Sequence, residues 1–248
     1  MGARTVHHRP LPDATLPDAT AAHETKANSV LRPIVFGAND GLVSNLALVM
    51  GVAGANAEPG IIVLAGIAGL LAGAFSMGVG EYISVQSQRE LLDFQIAFQR
   101  KQLREAPEQE RGILRRLYTE RGFTPAQAAE FADAVFDDDD HAVRLLIFEE
   151  VGLDERSIGS PIAAAMSSFV AFTSGAFVPL LPFLLGSGQP AFFGSIGLSL
   201  IALALLGFGI ARLTRRPMLY GAIRQVLLGG AAAAVTFAVG SIIGAHGL

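Results

Sequence analysis

Three side chains that could bind a metal ion lie in or beside apolar segments of the sequence. Asp40 follows Pro33 by seven residues, which puts it about 10 Å into a helix at 1.5 Å per residue. Met77 precedes Glu81 by four residues, so these two side chains share one face of a helix. A carboxylate beside a thioether suits a divalent first-row transition metal better than Mg²⁺ or Ca²⁺, which prefer oxygen ligands alone. The sequence therefore predicts a metal site formed by Asp40, Met77 and Glu81.

Each of these residues also has a plainer interpretation. A methionine often only fills a gap in a core, and a glutamate near a membrane surface can simply face water. Asp40 is harder to explain in this way, because a carboxylate at membrane depth costs roughly 2.5–3.5 kcal/mol on insertion scales. Further polar residues on the same two segments are predicted to line a path for the ion: Asn39, Ser44, Asn45, Ser84 and Gln88.

The elements that must position these residues are membrane-spanning helices. The chain has 248 residues, of which 51% are hydrophobic and only 16% charged, as is typical of an integral membrane protein. Five apolar segments are long enough to cross a bilayer as helices, which takes about 20 residues each. These segments are residues 33–54, 60–83, 160–186, 191–212 and 219–245. The predicted fold class is an all-α integral membrane protein with five transmembrane helices.

The positive charges predict the orientation of these helices. All 18 Lys and Arg residues lie before the first segment, between the second and third, or around the turn between the fourth and fifth. The remaining connections, at 55–60 and 186–190, and the C-terminus contain none. Positive residues favour the cytoplasmic side. We therefore expect a cytoplasmic N-terminus, an external C-terminus and a multi-pass location, with a bacterial plasma membrane as the predicted host.

A charged block between the second and third spans is predicted to form a cytosolic three-helix lobe, residues 86–156, with ten basic and sixteen acidic residues. The second span continues without a helix breaker to about Glu105, a second helix ends at Gly122, and a third runs from Pro125 to about Val151. The acidic run 137–140 lies in or at a bend of this third helix. An acidic lobe would raise the local concentration of cations.

These elements divide the chain into four parts. We expect a mobile cytosolic tail at 1–28, spans one and two at 29–85, the lobe, and spans three to five at 157–248. The absence of cysteine excludes disulfides and thiolate metal sites, and the net charge of −4 gives no indication of nucleic-acid binding. No Glu-x-x-His pair occurs, which argues against a ferritin-like di-iron enzyme. We expect a protein that is not an enzyme.

Three stretches give a family resemblance. GANDGLVSNLALVMGVAGA, AGAFSMGVGEYISVQSQRELL and VPLLPFLL are similar to segments of the vacuolar iron transporter family of plants, fungi, protists and bacteria. The resemblance covers about residue 30 to 248. It implies a homodimer in the lipid bilayer that exports Fe²⁺ or Mn²⁺ from the cytosol with proton counter-transport. It also implies that Asp40 and Met77 are membrane ligands, and that Glu81 is the acidic residue of a Gly-Glu-Tyr motif.

The same resemblance implies metal-capturing glutamates in the lobe, where this chain departs from the pattern. Glu110 and Glu150 keep the expected acid. Four other positions differ from what the resemblance implies: Gln99, Gln102 and Ile113 stand where glutamates are expected, and Leu146 stands where a methionine is expected. Glu105 and Glu108 are the residues that could compensate, so we expect the metal site of the lobe to be weakened, altered or lost.

The resulting expectation is a secondary transporter with no tightly bound cofactor, carrying Fe²⁺ or Mn²⁺, with Zn²⁺ and Co²⁺ as alternatives. Two other functions stay open from the sequence. One is a membrane metal sensor or adaptor that transports nothing and whose lobe binds ions or a partner protein. The other is a transporter of an organic substrate, because a fold alone does not fix its substrate.

Overall fold

The computed structural model describes the backbone of residues 19–151 and 158–246, and the side chains of residues 33–149 and 158–246. Within these ranges the chain forms eight α-helices and no strand. The helices are α1 (Ala19–Gly54), α2 (Pro59–Glu105), α3 (Pro107–Glu120), α4 (Pro125–Val135), α5 (Asp139–Val151), α6 (Pro161–Leu185), α7 (Gly188–Leu213) and α8 (Met218–Ala245).

Five of these helices are long and apolar enough to cross a membrane, as the sequence predicts. They are the Pro33–Gly54 part of α1, together with α2, α6, α7 and α8. The continuation of the second span to Glu105 is also confirmed, since α2 is a single helix of 47 residues. Its length follows from the sequence, because no glycine or proline occurs between Glu81 and Glu105 to end it.

The sequence predicts a mobile tail at 1–28, and the mobility of this segment stays a prediction. Helix α1 begins at Ala19, so residues 19–28 are its first turns, and residues 1–18 lie outside the described residues. The segment 19–28 contains no glycine or proline, which allows the helix to extend ahead of the apolar span.

Glycines bring α1 and α6 into backbone contact within a compact unit formed by residues 27–86 and 159–246. A methyl group on Gly41 would overlap the carbonyl of Phe172, and one on Gly175 would overlap the carbonyl of Ala38. In lipid, where helix association cannot rely on the hydrophobic effect, small residues at a crossing let two backbones pack closely. This crossing fixes the α6 residues that face the polar part of α1.

Replacing Gly175 with alanine should therefore destabilise this unit by roughly 1–3 kcal/mol, the usual cost of overpacking. The matched control is Gly197→Ala on α7, because a Cβ at Gly197 meets no atom within 4 Å. Thermal unfolding of the two purified variants in the same detergent measures the difference. Equal unfolding temperatures would show that α1 and α6 do not cross through Gly175.

A second compact unit includes residues 87–158 and so contains nearly all of the lobe. Its core is built from buried side chains of α2, α3, α4 and α5, including Leu103, Leu114, Ala132, Val143 and Leu146. Within the described residues this unit therefore has four helical segments where the sequence predicts three.

The predicted third helix is interrupted inside the acidic run. Helix α4 ends at Val135 and α5 begins at Asp139. The carboxylate of Asp138 accepts hydrogen bonds from the backbone N–H groups of Asp140, at 3.0 Å, and His141, at 3.2 Å. An aspartate that caps a new helix in this way competes with a continuous helix. The acidic run is therefore partly a helix cap, and Asp140 is also paired with Arg100 at 2.9 Å.

Candidate metal site

A cavity of about 300 Å³ with both polar and apolar walls lies between α1, α2 and α6 in the unit that contains the apolar helices. Water takes about 30 Å³ per molecule in the liquid, so the cavity has room for an ion with part of its hydration shell. The residues that line it are Asp40, Ser44, Asn45, Leu48, Gly69, Gly73, Ser76, Met77 and Phe172.

The connection between α1 and α2 sets which residues face each other across this cavity. Only residues 55–58 separate the two helices, so α1 and α2 form an antiparallel pair. Gly69 lies opposite Asn45 and Leu48, because a Cβ at Gly69 would meet both side chains. Eight residues along α2 from Gly69, Met77 reaches the part of the cavity that contains Asp40. The structure thus brings Asp40 and Met77 to one cavity.

Asp40 is half-buried, and no described Lys or Arg side chain forms an ion pair with it. The hydroxyl of Ser44 donates to the backbone carbonyl of Asp40 at 2.5 Å, which leaves the carboxylate itself unused by this bond. Met77 is also half-buried and packs beside Phe172. Met77 therefore packs against the core and also lines the cavity.

Asn45 is the most deeply buried polar residue of the cavity, with 2% of its side chain exposed. Its amide Nδ2 donates to the carbonyl oxygen of Ala176 on α6 at 2.6 Å. Ser44 and Asn45 are thus two of the predicted path-lining residues that do line the cavity.

Asn39, the third such residue on α1, does not line this cavity. Its Oδ1 accepts a hydrogen bond from Nε2 of Gln225 on α8, at 2.6 Å. The sequence reasoning missed Gln225, although an amide in an otherwise apolar span is itself a signal that a partner is needed. This bond joins α1 to α8 one residue before Asp40, so Gln225 helps to hold the carboxylate-bearing turn.

The predicted residues at the far end of the second span are not brought into the cavity. Glu81 is half-buried and is absent from the lining, while Ser84 and Gln88 are exposed. Sequence reasoning also missed Phe172, Leu48 and Gly73 as parts of the wall. The contact between α1 and α6 and the packing of the Phe172 ring over Gly73 of α2 place Phe172 there, and no local pattern reveals them.

The lobe carboxylates that could compensate for lost ligands each have a partner of their own. Glu105 is 3.9 Å from Lys101, and Glu108 is 3.4 Å from Arg111. Glu110 is 4% exposed, and its Oε2 accepts a hydrogen bond from Nε2 of Gln99 at 2.7 Å. The amide of Gln99, at a position where the family resemblance implies a glutamate, therefore donates to Glu110.

The other altered positions belong to the interior of the lobe. Leu146 is in the buried core, and Gln102 and Ile113 are half-buried. The side chain of Glu150 lies outside the described residues. Its neighbour Glu149 accepts a pair of hydrogen bonds from Arg121.

Tyr118 completes the surroundings of Glu149. The Tyr118 hydroxyl donates to Glu149 at 3.1 Å, and burial, together with the charge of Glu149, raises the pKa of Tyr118 to about 12. The phenol thus stays protonated and remains a donor at neutral pH. Across the described residues, no three His, Asp or Glu side chains are grouped as they would be for holding a metal ion.

These features define a multi-pass helical membrane protein with a carboxylate- and thioether-bearing cavity among its spans. The chain belongs to the VIT family, whose model matches residues 31–241. The family resemblance found in the sequence is thereby confirmed.

Curated relatives from several eukaryotes agree with this assignment. The chain is 39% identical over 214 residues to the vacuolar iron transporter of Acanthamoeba castellanii, covering 85% of this chain and 77% of that protein. It is 27% identical over 230 residues to vacuolar iron transporter 1 of Arabidopsis thaliana, covering 92% of each. It is 29% identical over 234 residues to the vacuolar iron transporter of Toxoplasma gondii, covering 89% of this chain and 76% of that protein. All three relatives are named as transporters and none as an enzyme.

Proposed function

We propose that this chain is a secondary transporter of a divalent transition metal, Fe²⁺ or Mn²⁺. The observation that carries the proposal is the presence of Asp40 and Met77 in one cavity between apolar helices. A carboxylate and a thioether together favour a first-row transition metal over Mg²⁺ and Ca²⁺. Names of the relatives, which specify iron transport for those proteins, support the same substrate class here.

The proposed transporter is a homodimer. Such metals take about four to six ligands, more than Asp40 and Met77 of one chain supply. Two copies related by a twofold axis would place two such pairs face to face, since a twofold interface uses the same surface of both chains. Exposed apolar side chains on the first part of α2, such as Leu64, Leu71 and Phe75, are available for that contact or for lipid.

The proposed direction is out of the cytosol, in exchange for protons. A single carboxylate can hold either a proton or a metal ion, and metal binding releases protons from its ligands. Asp40 alone can therefore couple the two flows. The distribution of Lys and Arg supports a cytosolic lobe, a cytosolic N-terminus and an external C-terminus. The plasma membrane of a bacterium is the proposed host, on the basis of the short loops between spans.

The lobe is proposed to attract cations by its net negative charge rather than to store several ions in a closed site. The hydrogen bond from Gln99 to Glu110, and the ion pairs of Glu105 and Glu108, support this division of roles. Such attraction acts through the field and weakens as salt rises.

The test is metal flux with the purified full-length chain in liposomes that contain a pH indicator. Fe²⁺ kept reduced, Mn²⁺, Zn²⁺ and Co²⁺ are compared with Mg²⁺ and Ca²⁺, and liposomes without protein give the background. We expect saturable Fe²⁺ or Mn²⁺ movement accompanied by proton movement in the opposite direction. Metal binding without any flux would overturn the proposal in favour of a sensor.

A further inference from the structure

Of the two polar atoms of the Asn45 side chain, one has a hydrogen-bond partner among the described residues and the other has none. Its Nδ2 donates to the carbonyl oxygen of Ala176 at 2.6 Å. Because a carbonyl oxygen only accepts, the NH₂ end of the amide must face α6, and the amide oxygen Oδ1 must face away from it. Within residues 33–149 and 158–246, no side-chain or backbone donor reaches Oδ1, although this atom is buried. Burying a polar atom without a hydrogen-bond partner costs free energy, so the orientation of Oδ1 needs an explanation.

Oδ1 lies on the side of Asn45 that faces Gly69 of α2, another residue that lines the cavity containing Asp40. Asn45 lines this cavity, and a Cβ built on Gly69, across the cavity on α2, would lie 3.0 Å from Oδ1. Any larger residue at position 69 would therefore cover the oxygen. The glycine at position 69 therefore adds no side chain of its own over Oδ1.

We propose that Oδ1 of Asn45 is a second oxygen contact for the transported metal ion. The ion contacts Asp40 and Met77 first and Oδ1 of Asn45 next. This inference rests on the proposed function. Asn45 follows Asp40 by five positions, so the second contact lies about 7.5 Å farther along α1. The two contacts would serve successive positions of one ion.

An amide suits this second position better than another carboxylate would. Its oxygen is a hard, neutral ligand that replaces a water of the ion without adding a charge that would hold it. Transport requires contacts that are favourable enough for entry and weak enough for release. The hydrogen bond to Ala176 fixes the orientation of the amide before the ion arrives. Binding the ion therefore does not cost the entropy of ordering this side chain.

The experiment measures Mn²⁺ transport and Mn²⁺ binding separately. Asn45→Leu replaces the amide by an apolar side chain of similar size. We expect turnover in liposomes to fall by about tenfold or more, the usual effect of losing one polar contact to a charged group. Binding of Mn²⁺ to the detergent-solubilised chain, followed by loss of the free-ion electron paramagnetic resonance signal, should stay unchanged because Asp40 and Met77 remain.

A second variant leaves Asn45 itself in place. Gly69→Ala puts a methyl group over Oδ1, while the exposed Leu48 side chain beside Gly69 can move aside. This variant should show the same loss of turnover. If Asn45→Leu fails to fold, Gly69→Ala alone decides the question.

Two control variants separate the oxygen from structural effects. Ser195→Ala removes another buried hydrogen bond to α6, from Oγ to the carbonyl of Pro179 at 2.6 Å, at a residue that does not line the cavity. Gly209→Ala adds a methyl group in open space on α7. Both should keep wild-type turnover.

The possible results are distinct. Wild-type turnover in Asn45→Leu and Gly69→Ala, or an equal loss in Ser195→Ala, overturns the role of Oδ1 while transport by the chain stands. A wild-type chain that moves no metal overturns the proposed function, and this inference with it.

Discussion

Replacing Asp40 with asparagine should abolish metal transport while leaving a folded protein. The variant keeps the size of the side chain and removes its charge, which is the main attraction for a dication in the cavity. At an effective dielectric constant near 20, such an attraction is worth a few kcal/mol, so we expect transport to fall about 100-fold or more. The measurement is the initial rate of Mn²⁺ and Fe²⁺ flux into liposomes, with the amount of reconstituted protein determined for each variant.

The folded state should not suffer, because a neutral amide is cheaper than a carboxylate at membrane depth. Thermal unfolding of Asp40→Asn should therefore occur at the wild-type temperature or above it. Glu58→Gln is the matched control, since Glu58 is an exposed carboxylate in the connection between α1 and α2 and lies outside the cavity. Normal flux through a well-folded Asp40→Asn protein would refute the role of Asp40.

The membrane spans could be predicted because a helix that crosses a bilayer needs about 20 consecutive apolar residues, and such segments are easy to recognise in a sequence. The length of α2 was predictable for a similar reason, since nothing between Glu81 and Glu105 breaks a helix. The interruption after Val135 was not. There, the carboxylate of Asp138 bonds two backbone N–H groups, and this local competition depends on geometry that four adjacent aspartates do not reveal.

Some features of the candidate site could likewise be predicted from the sequence, and others could not. Asp40 and Met77 could be predicted to lie at a similar depth in two antiparallel helices, because a helix rises by a fixed distance per residue. The fixed orientation of Asn45 could not be predicted, since its partner is a backbone carbonyl 131 residues away, and every residue type carries one. Gln99 illustrates a third case. The sequence shows an amide there, where the family resemblance implies a glutamate, but the bond that Gln99 forms with Glu110 depends on how α2 and α3 pack.

Replacing Met77 with leucine should change which metal is transported more than how much is transported. The two side chains are close in volume, and such exchanges usually cost less than about 1.5 kcal/mol of stability. What disappears is the sulfur, a soft ligand that binds Fe²⁺ and Co²⁺ better than the harder Mn²⁺. We expect the ratio of Co²⁺ to Mn²⁺ transport to fall by about tenfold, the equivalent of roughly 1.4 kcal/mol.

Competition between the two metals in one liposome preparation gives this ratio directly, and it cancels differences in protein insertion between variants. Met50→Leu is the matched control, because Met50 is a buried core residue of the same helix as Asp40 and does not line the cavity that contains Asp40. Its ratio should equal that of the wild type. An unchanged ratio in Met77→Leu would mean that the thioether only packs against Phe172, and that oxygen atoms alone select the ion.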